Sequence, residues 1–246
     1  SFAGDTMQAM IKVSAKERSG FEVKQLNADM LFHPLGMEFK QLDVTTGKSR
    51  LKDYFALRYT HFTHDMGQFI THVIMDGNFE GSEIHSDDIA FFAPQLKDWK
   101  DRIIISGKVR GTVNHLKGSK VIVTTLKQSV FDGDFTIDGL PDINTTFLDV
   151  RANRLETSYA DAATIYPELK KITDVALSKI NYLKFKGSFT GYFKDFVTYG
   201  TIQTNLGTLV TDINLKLPDR SEPIYSGKIK TDGFALGTFI KDSIFG

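Results

Sequence analysis

The chain has 246 residues, with 30 Lys plus Arg balanced by 30 Asp plus Glu, so it is long enough for one large domain or two ordinary ones. Zero formal net charge withdraws the broad electrostatic case for nucleic acid, which needs a basic surface to displace counterions. The absence of Cys excludes disulfides, thiolate metal sites, Fe–S clusters and thiol nucleophiles.

Hydrophobic residues make up 41% and Pro only 6 positions, which is the composition of a packed chain and not of a disordered one. The one unusual number is 20 Phe against 1 Trp. The longest uninterrupted apolar run is Ile89 to Ala93, far below the roughly 18 residues a membrane helix requires. A chain that opens on Ser1 and stops on Gly246 without a leader pattern is expected to be a portion of something longer.

Alternation with period two dominates and predicts strands. From Met7 to Ala15 the odd positions are apolar and the even ones mostly polar. A return strand begins at Phe21 and Val23, and its phase slips near Gln25 to Ala28 as a bulge would make it. Met37 and Phe39 shift to Leu42 and Val44 in the same way, and Phe55, Leu57 and Tyr59 give a further odd-face set. The stretch 63–71 predicts a short helix, followed by a strand through Val73, Met75, Gly77 and Phe79. A second short helix is expected over 86–93, capped by Ser86 and stopped before Pro94.

The clearest strand runs from Arg102 to Asn114, with Ile103, Ile105, Gly107, Val109, Gly111 and Val113 on one face. Strands continue through Val121 and Val123, then Phe131, Gly133 and Phe135, then Leu148 to about Leu155. A helical insertion is expected near 158–180, with Pro167 as a first-turn residue. Leu183, Phe185, Gly187, Phe189, Gly191 and Phe193 then form one face of a strand, as do Leu209, Ile213 and Leu215. Short turns, placed at Leu116 to Gly118 and Asp195 to Phe196, favour antiparallel pairing. The fold class is therefore mainly β: a long, curved antiparallel sheet with a few short helices, read as one continuous segment over 1–246.

A recurring unit is Gly, one residue, an apolar residue, one residue, Gly. It occurs at Gly77 to Gly81, Gly107 to Gly111 and Gly187 to Gly191, with a relaxed version from Gly133 to Gly139. Glycines on the dry face of a strand mark a bend or a close approach to the backbone. The plain reading is a barrel bend at Gly107, Gly111, Gly187 and Gly191. The sharper reading is a trough lined by Ile103, Ile105, Val109, Phe131, Phe135, Leu183, Phe185, Phe189, Phe193, Leu209, Ile213 and Leu215, whose alternation of Phe with Gly leaves room for slender apolar ligands.

Catalytic and metal motifs are weak. Thr46 to Ser49 imitates the end of a phosphate-binding loop, but Leu42 stands where its first Gly is required, so a hairpin turn is expected. His61, His64 and His72 have ligand chemistry without a third group on the same face. The pairs Asp132 with Asp134 and Asp87 with Asp88 are read as residues beside turns or a helix start. No catalytic residue, metal site or cofactor is assigned, and the chain is not read as an enzyme.

The C-terminal part of the chain resembles the TamB proteins (translocation and assembly module subunit) of Bacteroidetes-type bacteria, within the AsmA-like superfamily. The resemblance rests on Ser82 to Pro94, Leu96 with Ser106 to Gly111, and Asp132 to Phe135 with Gly139 to Pro141. It continues through Leu155 to Asp161, Phe185 to Val197, Tyr199-Gly200 with Thr204 to Gly207, Asp212-Ile213, Tyr225 to Gly227 and Phe234 to Gly237. The order and spacing of these words extend over roughly Leu51 to Gly246, and the first 50 residues match only in texture. The resemblance implies a periplasmic β-taco, an open trough with a hydrophobic groove for phospholipid acyl chains. It also implies an inner-membrane anchor and an outer-membrane partner of the TamA or BamA type, both reached through parts of the parent protein expected to lie outside this chain. The implied role is lipid transport to the outer membrane, assembly of outer-membrane proteins, or both. Two alternatives stand beside it: a chaperone-like scaffold that takes up outer-membrane strands by β-augmentation, and a closed β-barrel that binds a small apolar ligand.

Overall fold

The computed structural model describes residues 2–3, 5–16, 20–90, 100–125, 127, 129–142, 144–165, 167–218, 222, 224–242 and 244. Among these, the strands are β1 (Phe2–Ala3), β2 (Thr6–Lys16), β3 (Glu22–His33), β4 (Gly36–Thr46), β5 (Arg50–Arg58), β6 (Ile74–His85) and β7 (Arg102–Thr112). They continue as β8 (His115–Thr125), β9 (Val130–Asp138), β10 (Phe147–Thr157), β11 (Leu183–Tyr192), β12 (Asp195–Thr204), β13 (Gly207–Lys216) and β14 (Ile224–Asp232). Sheet order is chain order, as expected of a meander whose neighbours are joined by short turns. The protein is mainly β, antiparallel and not closed, and a closed barrel is thereby set aside. β7, at 11 residues, is among the longest strands, and β3 and β6 reach 12.

The chain divides into two compact units, 1–123 with 136–146, and 124–135 with 147–246. In the first, every strand pairing from β2/β3 to β6/β7 carries a register shift. The slips read from the sequence are among them, since β3/β4 shifts at Val23/Gln25 and Asn27/Asp29, and β4/β5 shifts at Lys40/Leu42. In the second, β11/β12, β12/β13 and β13/β14 run without interruption.

Several expectations are corrected. The turns lie at Val113–Asn114 and Phe193–Lys194, so Leu116 to Gly118 belong to β8 and Asp195–Phe196 to β12. The reason lies in the glycines just before each turn: Gly111 and Gly191 let the returning strand close at once, because a Cβ there would overlap the carbonyl oxygens of His115 and Asp195. Asp132 and Asp134 sit within β9, not beside a turn. β12 and β14 were not predicted, although Phe196, Thr198, Gly200 and Ile202 carry the same alternation.

The helices are shorter than their patterns. The helix expected over 63–71 is two pieces, α1 (Phe62–Gly67) and α2 (Phe69–His72), broken at Gln68. α3 covers Ser86–Ile89, and 91–93 lie outside the described residues. Its cap is His85, whose Nδ1 accepts from the Asp87 amide at 3.1 Å, while Ser86 Oγ accepts from the Asp101 amide at 3.0 Å. The insertion near 158–180 consists of α4 (Tyr159–Ile165) and two 3-10 turns, Pro167–Lys171 and Leu177–Lys179. Ser158 caps α4 by accepting from the Asp161 amide at 3.1 Å. Between the two 3-10 turns the Ala176 amide donates to Phe239 O at 2.6 Å, in α5 (Leu236–Ile240), and so joins no helical ladder.

One hairpin device occurs in both units. In the first, Thr46–Ser49 is the β4/β5 turn, and Thr46 Oγ1 and Ser49 Oγ both donate to Asp88 of α3. In the second, Ser129 Oγ donates to Asp161 of α4 at 3.2 Å and shares a hydrogen bond with Thr157 Oγ1 at 2.8 Å. The Thr46-Gly-Lys-Ser49 segment is thus a hairpin end tied to a helix, and Lys48 is held by Asp87.

Candidate functional site

Residues directly opposite one another in an antiparallel pair project to the same side, so the registers trace each face. In the first unit two rows cross six strands without a break. One is Met7, Phe32, Met37, Leu57, Met75 and Gly111, and the next is Ala9, Met30, Phe39, Phe55, Gly77 and Val109. Ile103 and Ile105 extend the same side opposite Ile84 and Ser82. Four of the six methionines therefore share one face.

The second unit repeats the principle with different residues. Val150, Phe189, Thr198, Ile213 and Gly227 form one row; Leu155, Phe185, Ile202, Leu209 and Thr231 form another. Between them lie Ala152, Gly187, Gly200, Thr211 and Ile229, and beside them Leu148, Gly191, Phe196, Leu215 and Tyr225. The Phe185 ring lies over Gly187 and Gly200. Phe189 and Phe196 stack with centroids 4.7 Å apart. The opposite face is mixed, with Lys184, Lys186, Thr190 and Lys216 beside the exposed Tyr199 and Val210.

The sequence-predicted lining is thus placed as follows. Leu183, Phe185, Phe189, Leu209, Ile213 and Leu215 share one face of the second unit. Phe131 and Phe135 alternate to one side of β9, their rings 6.5 Å apart. Ile103, Ile105 and Val109 share the face of the first unit, and Ile103 is buried. Phe193 departs from the set: it lies in the β11/β12 turn and is 42% exposed. The four glycines are positions of close approach, and what approaches is the next strand. A Cβ at Gly107 would stand 2.5 Å from Lys120 O, and one at Gly187 would overlap Tyr199 O. Sequence reasoning missed Ile202 and Phe196 with β12, and the methionines as a group.

Neither face is a sealed core. No phenylalanine whose side chain is described is buried; the buried apolar residues are mostly small, such as Ala28, Ala56, Val73, Val121 and Ala152, with Leu42, Tyr59 and Ile103 the larger ones. Two hollows lie among mostly polar and charged residue types. A cavity of about 320 Å³ is lined by Glu156, Ser158, Asp161, Tyr182 and Lys184 among others, and a second of about 350 Å³ lies beside Arg154, Phe185 and Gln203.

The shifted acids belong to structural contacts. Asp87 is held down to about 2 by hydrogen bonds from Lys100 and Lys48. Asp65, 4% exposed, is held well below the ordinary carboxylate range by the His61 amide, the His64 ring and the Thr60 amide. Glu156 is lowered chiefly by Arg154, 2.8 Å away. Their partners tie loops and strand ends: Asp87 holds Lys48 of the β4/β5 turn, Asp65 the amides that open α1, and Glu156 the end of β10. His64 and His72 are exposed and pack edge to face at 5.3 Å. Among the described residues, no helix is long and apolar enough to cross a membrane.

No family model, curated protein or solved structure matches this chain.

Proposed function

We propose that this chain is a segment of a TamB/AsmA-like bridge whose apolar sheet faces carry phospholipid acyl chains toward the outer membrane, with a contribution to outer-membrane protein assembly. The observation that carries the reading is the in-register apolar face of each unit, on which rows of Phe, Met and Ile remain half-exposed. Contiguous apolar surface of this kind marks a binding site in proteins that meet water. Each acyl CH₂ transferred from water to such a surface gains about 0.8 kcal/mol, so a chain of about 16 carbons gains roughly 12 kcal/mol before ordering costs. On this reading the chain works in the periplasm, within a parent protein anchored in the inner membrane that meets a TamA- or BamA-type partner. The reading assigns no catalysis and no cofactor.

Lipid extraction and native mass spectrometry test it. The purified protein is expected to carry phospholipid, Phe189→Asp to lose it by placing an unpaired charge on the face, and Thr190→Asp, on the opposite side, to keep it. Lipid-free protein that also takes up no labelled phospholipid would overturn the reading.

A further inference from the structure

We infer that the apolar face of the first unit is a modification site: peroxide-class oxidants convert its methionine thioethers to sulfoxides, and the oxidised face no longer holds an acyl chain. The inference rests on the lipid reading above and adds a chemical control to it. Six methionines occur in the chain, and none lies beyond Met75. Met7, Met37 and Met75 stand in one row, with Met30 in the next. Met30 is diagonal to both Met7 and Met37, which makes these three neighbours across β2, β3 and β4. All four are partly exposed. Met30, Met37 and Met75 belong to β3, β4 and β6, each flanked by a strand on both sides, so their exposure is through the face and not at a sheet edge.

The reaction asks only for access to the sulfur. A sulfur lone pair attacks one peroxide oxygen, an S–O bond forms as the O–O bond breaks, and the departing hydroxide takes up the proton of the oxygen transferred. The thioether is oxidised by two electrons and the peroxide is reduced to water. The fold decides the consequence. Strand pairing is made by main-chain hydrogen bonds that oxidation leaves in place, and on a bare face the new oxygen is hydrated. Beneath an acyl chain it is not. The other residues of the two rows are Phe, Leu, Val, Ala and Gly, whose side chains offer no donor, so a covered sulfoxide oxygen loses water without replacement. The penalty therefore falls on the lipid-bound state, and a bound chain in turn shields the sulfurs from oxidant.

The molecule carries two internal controls. The face of the second unit holds no thioether, since every residue after Met75 is of another type, and peroxide leaves its Phe, Ile and Leu rows unaltered. Met10, 88% exposed, stands opposite Asp29 on the other side of the sheet, so its sulfoxide displaces no lipid.

The probe is a phospholipid with a diazirine in one acyl chain, its crosslinks mapped by mass spectrometry before and after hydrogen peroxide; the same spectra give the sulfoxide occupancy of each methionine. After oxidation, crosslinks on β3, β4 and β6 are expected to fall by about tenfold or more, while those on β11 to β13 persist. Methionine sulfoxide reductases of both epimer specificities should restore them. Met7→Leu, Met30→Leu, Met37→Leu and Met75→Leu combined, which nearly conserve volume, should keep the lipid and abolish the response. Met10→Leu alone should leave the response intact, and circular dichroism checks the sheet in each case. First-unit crosslinks that survive full oxidation of the four methionines, an equal loss in both units, an equal loss in the combined Leu variant, oxidation of Met10 with the four spared, or crosslinks confined to the second unit from the start would each overturn the inference and leave the lipid reading standing. Protein that takes up no phospholipid before oxidation would overturn the lipid reading and this inference with it.

Discussion

The two units solve the same problem by different means. In the first, every pairing from β2 to β7 is interrupted, and side chains satisfy backbone groups freed by the interruptions. The Lys52 amide donates to Ser82 Oγ at 2.9 Å, the Glu80 amide to Asp53 Oδ2 at 2.7 Å, and the Gly81 amide to Ser106 Oγ at 2.9 Å. In the second, β10/β11 shifts once, between Ala152 and Leu155, β11 to β14 pair without a shift, and positive-φ glycines let the strands approach, Gly191 at φ +136° and Gly227 at φ +124°, as Gly107 and Gly111 do beside the bulges of the first. Bulges bend a strand and raise its local twist, whereas glycine admits a neighbouring backbone where a Cβ would collide. The apolar faces differ accordingly. Flexible methionines suit an irregular surface, and flat rings stacked beside glycines suit a regular one.

The largest effect that separates these two means comes from filling a glycine. Gly191→Ala should lose about 3 kcal/mol of stability through backbone strain and overlap with the next strand, while Gly47→Ala, with open space around it, should change stability by less than about 0.5 kcal/mol. Urea unfolding reads both.

Next is Ser82→Ala, which leaves the Lys52 amide without its acceptor in a fully buried position. The loss should be about 1–2 kcal/mol, and hydrogen exchange should rise around 50–54 and 80–83 while β11 to β13 stay protected.

Acid should also act on the unit with the bulges. Asp65 and Asp87 both have folded-state values below their ordinary 3.8, so their stabilisation is complete above that value and is lost as pH falls through the folded one. For Asp87 that window runs from about 3.8 to about 2. Exchange at α1 and α3 should therefore accelerate below about pH 4, and Asp87→Asn should remove part of this dependence.

The smallest effect is expected at an exposed ion pair of the second unit. Lys216→Ala removes the contact with Asp195, both partners being about half exposed, and should change stability by less than about 0.5 kcal/mol.

Much of this was legible because alternation is a local signal. The odd positions of β7 and β11 give their faces directly, and the slips near Gln25 and Lys40 appear as phase changes in the sequence. Turn positions were not legible: Gly118 looks like a turn residue but is buried within β8, while Val113–Asn114 and Phe193–Lys194 have no glycine of their own. The helical spacing of Leu169, Ile172, Ala176 and Ile180 promised a longer helix than forms, and the tie from the Ala176 amide to Phe239 is a long-range fact that the spacing does not carry. Likewise Phe193 carries the right residue type and the right parity, but the chain has already turned before it.

The central claim is that acyl chains lie on one face of the second unit, and a pair of single cysteines tests it most directly. Phe189→Cys and Thr190→Cys are neighbours on β11 with opposite projection, and the chain has no other Cys. With a photo-reactive lipid probe attached at each cysteine in turn and the protein incubated with labelled phospholipid, the account predicts crosslinking from position 189 and little from position 190. Equal crosslinking at both positions, or crosslinking from 190 alone, would contradict it.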